Sequence, residues 1–137
     1  MADVIRKVDY FKMEAADKPG EGARILGALG AAGINMLAFS GFPRGRRAQL
    51  DFIPEDTAAF KQAAKKIGLK VGPRKSGFLV QGGDRVGAVS EILSALAKAR
   101  INVTAIDAIT TGEGRYGAIL WVKPKDTRKA AKALGAS

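Results

Sequence analysis

The stretch "DKPGEGARILGALGAAGINMLAF" at residues 17–39 is nearly repeated at residues 84–106, which read "DRVGAVSEILSALAKARINVTAI". With an offset of 67, the two stretches share 10 of 23 residues. A second pair of windows follows in the same order, "IPEDT" at 53–57 and "KPKDT" at 123–127, with an offset of 70. This pattern predicts an internal duplication, with repeats at 1–72 and 73–137 and three extra residues in a hairpin of copy two.

Each copy predicts the same order of elements. β-Prone runs at 8–15 and 77–81 lead into a turn, after which apolar residues recur at helical spacing. A second strand, a hairpin turn and a third strand follow, and a second amphipathic helix completes each copy. Asp56 and Asp126 stand near the starts of these last helices and are candidates for the N-cap.

The two copies differ at their ends. Copy one continues into "LKVG" at 69–72, which predicts a fourth strand, whereas copy two ends at Ser137 without one. The sequence therefore predicts an α+β fold of two ferredoxin-like βαββαβ repeats, the second lacking its last strand, with antiparallel sheets and the helices on one face. Because the strand "GFLVQ" at 77–81 would lack a neighbour, we expect a strand of copy one or of a second chain to fill the gap, and we expect a homodimer.

The composition limits the chemistry of the chain. The 137 residues include no cysteine and no histidine, so disulfides and thiolate catalysis are excluded and the commonest metal ligand is missing. No metal site and no cofactor are expected. Residues 1–11 lack an apolar run of signal-peptide length, and no stretch reaches about 18 apolar residues. We therefore expect a cytoplasmic protein without a membrane segment.

The chain carries a formal net charge of +10, from 23 Lys and Arg against 13 Asp and Glu. Such a charge is compatible with binding a nucleic acid or another polyanion. The basic residues are spread along the chain, which favours an ordinary solvated surface. Nucleic-acid binding is therefore an alternative that the sequence does not favour.

The turns before the first helix of each copy are candidate ligand sites. Each holds an Asp and a Gly, and the N–H groups at a helix start point outward. The carboxylates of Asp17 and Asp84 have two interpretations, contact with a ligand or capping of the helix. Gly82 and Gly83 would let the backbone come close to a ligand.

These residues resemble the ACT domain, a small-molecule regulatory module of amino-acid metabolism. Its signature is Asp-x-Pro-Gly after the first strand, an apolar helix, and Gly-Ile-Asn at the second strand. Copy one has "DKPG" and "GIN", whereas copy two has "DRVG" and "RIN". Gly33 permits a left-handed exit from the helix where copy two has Arg100. The resemblance covers nearly the whole chain as a tandem pair, which implies a non-catalytic protein.

The resemblance implies that an effector, usually an amino acid, binds between two such modules. Asp17 would contact its ammonium group with Asn102 across the interface, and Asp84 would pair with Asn35 in the same way. The Asp17 site is expected to be the stronger one because its turn keeps Pro19, which presets the first helical turn. The implied ligand-binding residues are Asp17, Gly20, Glu21, Asn35, Gly83, Asp84, Gly87, Ala88 and Asn102.

Two other classes of protein share the predicted fold. An acylphosphatase-like enzyme would bind phosphate in the turn, and "LVQGGDRV" at 79–86 is partly similar to its loop, but Arg85 is one position early and Asp84 would repel a phosphate. An RNA-recognition-motif-like protein would stack bases on aromatic side chains of its third strand. The spacing of Tyr116 and Trp121 places them on opposite faces of a strand. The sequence favours neither class.

Overall fold

The computed structural model describes residues 3–137, which divide into two compact units. Asp9–Lys75 form one unit, called the first module. Ser76–Ser137 form the other together with the chain up to Val8, and this unit is called the second module. The first strand is divided between the modules, because it runs from Val4 to Ala16. The repeat boundaries 1–72 and 73–137 stay a prediction about the sequence.

Both modules contain the order strand, helix, strand, strand, helix, which confirms the α+β fold. In residues 3–137, no helix is long and apolar enough to span a membrane. The elements are β1 (Val4–Ala16), α1 (Glu21–Ala31), β2 (Met36–Arg44), β3 (Arg47–Pro54), α2 (Thr57–Ile67), β4 (Lys75–Gly83), α3 (Ala88–Lys98), β5 (Val103–Gly112), β6 (Arg115–Val122), a 3-10 turn (Pro124–Asp126) and α4 (Thr127–Leu134).

The sheet of the first module has the order β2-β3-β1, with antiparallel pairing. Phe11 and Phe52 lie opposite each other in register, and both rings contact Phe60 of α2, with centroid distances of 5.0 and 5.5 Å. α1 adds Ile25 and Leu29, one turn apart on its apolar side, to the same core. Both helices therefore cover one face of the sheet, as predicted.

The sheet of the second module has the order β1-β4-β6-β5. Phe78 and Leu120 lie opposite each other on β4 and β6 and are fully buried. Ile92 and Leu96 of α3 and Ala130 of α4 pack into the same core. The two helices of this module again share one face of the sheet.

The edge of β4 is filled from within the chain. The sequence left this strand without a neighbour, and the initial residues of β1 lie beside it. The chain end joins the same segment: Ser137 N–H donates to the Ile5 carbonyl at 3.1 Å, and the Ser137 carbonyl accepts from Lys7 N–H at 3.0 Å. A strand of copy one, rather than of a second chain, takes the missing position. This removes the reason for which a homodimer was expected.

Residues 69–72 do not form the predicted fourth strand. Gly72 N–H donates to the Lys12 carbonyl at 2.8 Å, which places the segment beside β1. The next residue, Pro73, has no N–H with which to continue a ladder. Leu69 and Val71 nevertheless pack against the core of the first module, so side-chain burial holds the segment where strand pairing does not.

The extra residues of copy two are divided between two places, whereas the sequence predicted all of them in the hairpin. Thr111 is extra in β5 and forms a bulge, because Thr110 pairs with Tyr116 while Gly112 pairs with Arg115. The corresponding hairpin of copy one is paired without this interruption. The other extra residues lie between β6 and α4, where the 3-10 turn forms.

The two predicted N-caps have different outcomes. Asp56 caps α2, since its carboxylate accepts a hydrogen bond from Ala59 N–H at 3.0 Å. Asp126 stands in the same place before α4, but among the described residues no side chain caps that helix. Asp56 has the extended backbone that a cap requires, with ψ 105°, whereas the 3-10 turn holds Asp126 at ψ −2°. The prediction for Asp126 is therefore wrong.

Candidate functional site

Both predicted ligand turns enter their helix through a glycine in the left-handed conformation. α1 follows Gly20 at φ 87°, and α3 follows Gly87 at φ 85°. Other residues are strained in this region, so the glycines fix the start of each helix. Within residues 3–137, no side chain caps either helix. The capping interpretation of Asp17 and Asp84 is wrong, and both residues are exposed.

Two of the predicted ligand-binding residues, Glu21 and Ala88, use their backbone amides within the turns. Glu21 N–H donates to the Lys18 carbonyl at 3.4 Å, and Ala88 N–H donates to the Arg85 carbonyl at 3.2 Å. These bonds close each turn just before its helix. A ligand carboxylate that used either amide would have to replace one of them.

A cavity of about 240 Å³ lies at the turn of the first module. Its walls come from the end of β1, the start of α1 and the β2–β3 hairpin. Charges of both signs line it, from Asp17, Lys18 and Glu21, beside the apolar side chains of Phe42 and Leu50. The cavity can therefore accept a small molecule that carries both an anionic and a cationic group.

Glu21 is held by a residue of its own helix. Arg24 donates from Nε to Oε1 at 2.8 Å and from Nη2 to Oε2 at 3.1 Å. Hydrogen bonding from Arg24 lowers the pKa of the Glu21 carboxyl, which keeps it ionised. Because Arg24 balances this carboxylate, the opposite charges left to a ligand in the cavity are those of Asp17 and Lys18.

The turn of the second module holds a network around Arg85. Its Nη1 and Nη2 atoms lie 3.1 and 3.4 Å from the two carboxylate oxygens of Asp3, and Nη1 donates to the Gly83 carbonyl at 2.9 Å. On its other side, Arg85 contacts Glu91, with Nε donating to Oε2 at 3.0 Å. Tyr116 completes the network, since its hydroxyl donates to Asp3 Oδ2 at 2.8 Å. The predicted ligand turn therefore already contains a bound carboxylate.

The ionisation of this network follows from its contacts. Burial opposes the charge of Asp3, but hydrogen bonds from Arg85 and Tyr116 outweigh burial and lower the pKa of the carboxyl. Burial, together with the hydrogen bond to Asp3, raises the pKa of Tyr116 to about 12. At neutral pH, Asp3 is an anion and Tyr116 is a neutral donor.

The family model for the ACT domain matches residues 78–136 of this chain. This segment is an ACT domain. It begins in β4, contains the Arg85 turn and ends after α4, so it makes up nearly the whole of the second module. No significant sequence match to a curated protein was found.

The chain is similar in fold to several solved structures. One is protein BT0572 from Bacteroides thetaiotaomicron, with a TM-score of 0.76 and 16% identity over 97% of this chain and 88% of that one. Another is the ligand-free regulatory subunit of aspartate kinase from Thermus thermophilus, with a TM-score of 0.64 and 17% identity over 98% and 95%. A structure of aspartokinase alpha and beta subunits follows, with a TM-score of 0.61 and 19% identity over 98% and 95%. At these identities the similarity establishes the fold alone.

The two asparagines of the predicted sites lie in different modules. Asn102 is exposed just before β5 of the ACT domain. Asn35 belongs to the first module, where its side-chain Nδ2 donates to Glu55 Oε2 at 3.3 Å. Its backbone carbonyl accepts from Glu55 N–H at 2.9 Å. The pairing of Asp17 with Asn102, and of Asp84 with Asn35, stays a prediction.

The ACT domain does not offer the features of the two alternative classes. Tyr116 and Trp121 are only 5% and 6% exposed, so neither ring can serve as a stacking platform for bases. Arg85, which a phosphate-binding loop would need, is occupied by the carboxylates of Asp3 and Glu91. Neither observation favours a nucleic-acid-binding protein or an acylphosphatase-like enzyme.

Sequence reasoning missed Asp3, Lys18 and Tyr116 as site residues. Lys18 could have been found from its place beside Asp17 in a turn that already suited a zwitterion. Asp3 belongs to no recognisable motif. Gly82, however, indicated that another group comes close to the backbone there, because copy one has Ala15 at the matching position. The sequence predicted a close approach to the backbone at Gly82 by a ligand, and the group found there is the carboxylate of Asp3.

Proposed function

We propose that the chain is a non-catalytic regulatory protein that binds a small effector of the amino-acid class. The proposed site is the turn between β1 and α1 of the first module. The observation that carries the proposal is the cavity at this turn, which is lined by Asp17 and Lys18. A free amino acid has an ammonium and a carboxylate, which complement this pair of charges.

The chemistry of the cavity supports this class of ligand. Asp17 can accept hydrogen bonds from an α-ammonium group, and Lys18 can donate to an α-carboxylate. Phe42 and Leu50 provide apolar surface for a side chain. The volume of about 240 Å³ is below the roughly 300–1,000 Å³ of pockets for drug-sized ligands, as expected for a smaller molecule.

The comparisons support the regulatory part of the proposal. The second module contains an ACT domain, and the fold resembles a subunit described as the regulatory subunit of aspartate kinase. We propose that the first module is a second ACT-like repeat and that Asn102 completes the site of Asp17. Asp84, with Gly83, Gly87 and Asn35, is kept as a proposed second site of lower affinity.

A thermal-shift screen of the twenty standard amino acids tests the proposal. A ligand at 100 times its dissociation constant stabilises a folded protein by about 2.7 kcal/mol, so saturating binding raises the unfolding midpoint measurably. We expect one amino acid, or a chemically related group, to do so. A short RNA at low and high salt is the control, because the charge of +10 is the remaining support for a polyanion partner. Salt-sensitive stabilisation by RNA, without any response to amino acids, would overturn the proposal.

The oligomeric state is a separate proposal. The resemblance to the ACT family implies assembly, and we keep a homodimer as the expected state of the cytoplasmic protein, although β1 fills the edge of β4. Sedimentation analysis across micromolar concentrations tests this. A monomer throughout that range contradicts the homodimer and leaves the effector site unaffected.

A further inference from the structure

The carboxylate of Asp3 is buried in the second module. Its side chain is only 8% exposed, whereas that of Arg85 is 32% exposed. Both carboxylate oxygens are bound: Oδ1 by Arg85 Nη1, and Oδ2 by Arg85 Nη2 and by the hydroxyl of Tyr116. Aspartate side chains are ordinarily solvated, and a buried charge requires such partners.

The Arg85 guanidinium has contacts for all five of its N–H groups. Two donate to Asp3, one donates to the Gly83 carbonyl, and the remaining two lie 2.9 and 3.0 Å from Glu91 Oε2. Gly83 and Glu91 therefore hold the guanidinium independently of Asp3. If the Asp3 carboxylate is removed, three donors remain directed at the position that it occupied. They are Nη1 and Nη2 of Arg85 and the hydroxyl of Tyr116.

The backbone at this position leaves room for a carboxylate. A Cβ atom built on Gly82 would overlap Oδ1 of Asp3, and it would lie 3.1 Å from the ring of Tyr116. The first module has Ala15 at the position that matches Gly82, and Ala48 at the position that matches Tyr116, as the paired registers show. Gly82 and Tyr116, which replace these two alanines in the second module, thus form part of the position that the carboxylate occupies.

We propose that Arg85, Tyr116 and Gly82 form a carboxylate-binding site in the second module, and that the chain occupies this site with its own Asp3. Asp3 acts as an internal ligand, and the turn of the second module accepts no external carboxylate while Asp3 is bound. Together with the proposed function, on which this consequence rests, internal occupation is the reason why the site of Asp84 has the lower affinity of the two.

Chemical rescue of an Asp3→Ala variant tests the site without knowledge of the effector. The substitution removes the carboxylate and keeps Cβ, so the space left has about the size of formate. Sodium formate is titrated against sodium chloride at equal ionic strength, and the unfolding midpoint is measured. We expect a saturable rise in midpoint for Asp3→Ala, and for wild type an apparent affinity weaker by about tenfold or more, which is about 1.4 kcal/mol.

Three matched variants identify the residues that bind formate. Asp3→Ala with Arg85→Gln should lose the response, because the fork that binds a carboxylate is gone. Asp3→Ala with Gly82→Ala keeps Arg85 but fills the carboxylate position, and should also lose the response. Asp3→Asn leaves the position filled by an uncharged side chain and should not respond.

The outcomes decide the proposal whether or not an effector is found. An equal formate response in wild type and Asp3→Ala would overturn it, as would a response that survives in either double variant. If Asp3→Ala does not fold in chloride, recovery of the folded state in formate supports the proposal, and no recovery contradicts it. These results do not depend on Asp17, so failure of the effector screen and failure of this inference are distinguishable.

Discussion

The two strand-to-helix turns share a backbone but differ in what they contain. Each passes through a left-handed glycine, Gly20 or Gly87, directly before its helix. The first turn borders a cavity, whereas the second contains the bound carboxylate of Asp3. Two matched positions account for much of the difference, because alanines occupy them in the first module and Gly82 and Tyr116 in the second. A duplicated site can thus become dedicated to an internal ligand while its fold is kept.

The largest expected effect is a loss of effector affinity when the carboxylate of the first turn is removed, compared with that of the second turn. Asp17→Ala should weaken binding of the effector by about 1–3 kcal/mol, because a charge-assisted hydrogen bond is lost. Asp84→Ala is the matched control and should have a smaller effect. Calorimetric titration of both variants measures this, and an equal affinity in wild type and Asp17→Ala would exclude Asp17 from the site. Neither variant should lose stability, since neither carboxylate caps a helix.

Removal of the internal ligand should lower stability by a similar amount. Asp3→Ala should cost about 1–3 kcal/mol of the free energy of unfolding, because Arg85 and Tyr116 lose their acceptor. Asp17→Ala serves as the control for loss of a carboxylate in the other turn. Urea denaturation measures both variants, and equal stabilities would show that the Asp3 network contributes nothing.

The contribution of Asp3 to the free energy of unfolding should depend on pH. The pKa of Asp3 lies below its ordinary value in the folded protein, so its contribution is present at neutral pH, above the unfolded value of about 3.9. It is lost as the pH falls through the lower folded pKa. The stability difference between wild type and Asp3→Asn should therefore shrink in that acidic range. A difference that stays constant there would contradict the role of the ionised carboxylate.

The second helices of the modules provide a test of the caps. Asp56→Ala should destabilise the protein by about 1 kcal/mol, since Asp56 accepts from Ala59 N–H. Asp126→Ala should have an effect within about 0.5 kcal/mol, as for surface changes without a specific role. Thermal or urea denaturation of both variants measures the contrast, and equal losses would show that Asp126 also caps its helix in solution.

The smallest expected effect concerns the exits of α1 and α3. Gly33 has φ 79°, and Arg100 at the matching position has φ 59°, which is strained for a side chain other than glycine. Arg100→Gly should stabilise the protein by about 0.5–1 kcal/mol, after the entropy of the unfolded chain has offset part of the relieved strain. Gly33→Ala should instead destabilise it. A loss of stability in Arg100→Gly would mean that Arg100 has contacts that outweigh its strain.

Much of the fold followed from the sequence because local signals agreed with each other. Apolar periodicity placed the helices, and the repeat gave two independent views of each element. Glycine at position 33 indicated the left-handed exit that the structure contains. The segment 69–72 was wrongly predicted as a strand. Its apolar residues indicate burial, which the structure has, but Pro73 interrupts the hydrogen bonds that a strand would need.

The candidate site was less accessible to such reasoning. The turn residues were identifiable from spacing, but the contact of Asp3 with Tyr116 joins residues separated by 113 positions. No local pattern encodes which distant group fills a site. The walls of the cavity in the first module also come from distant parts of the chain. Phe42, for example, reaches the turn through the pairing of β2 with β3. Strand register, which depends on the whole sheet, determines both the contact of Asp3 with Tyr116 and the lining of the cavity.

The division of β1 between the modules has a consequence for synthesis on the ribosome. Residues 3–8 are synthesised before the first module, whereas their partners in the second module, from Ser76 onward, are synthesised after it. The first module can fold while the chain is still growing, but the start of β1 must wait with its backbone groups and the Asp3 carboxylate in water. Closure of such a long loop is slow relative to local folding. Completion of the second module, with Ser137 joined to Ile5 and Lys7, therefore requires that residues up to 137 have left the ribosome.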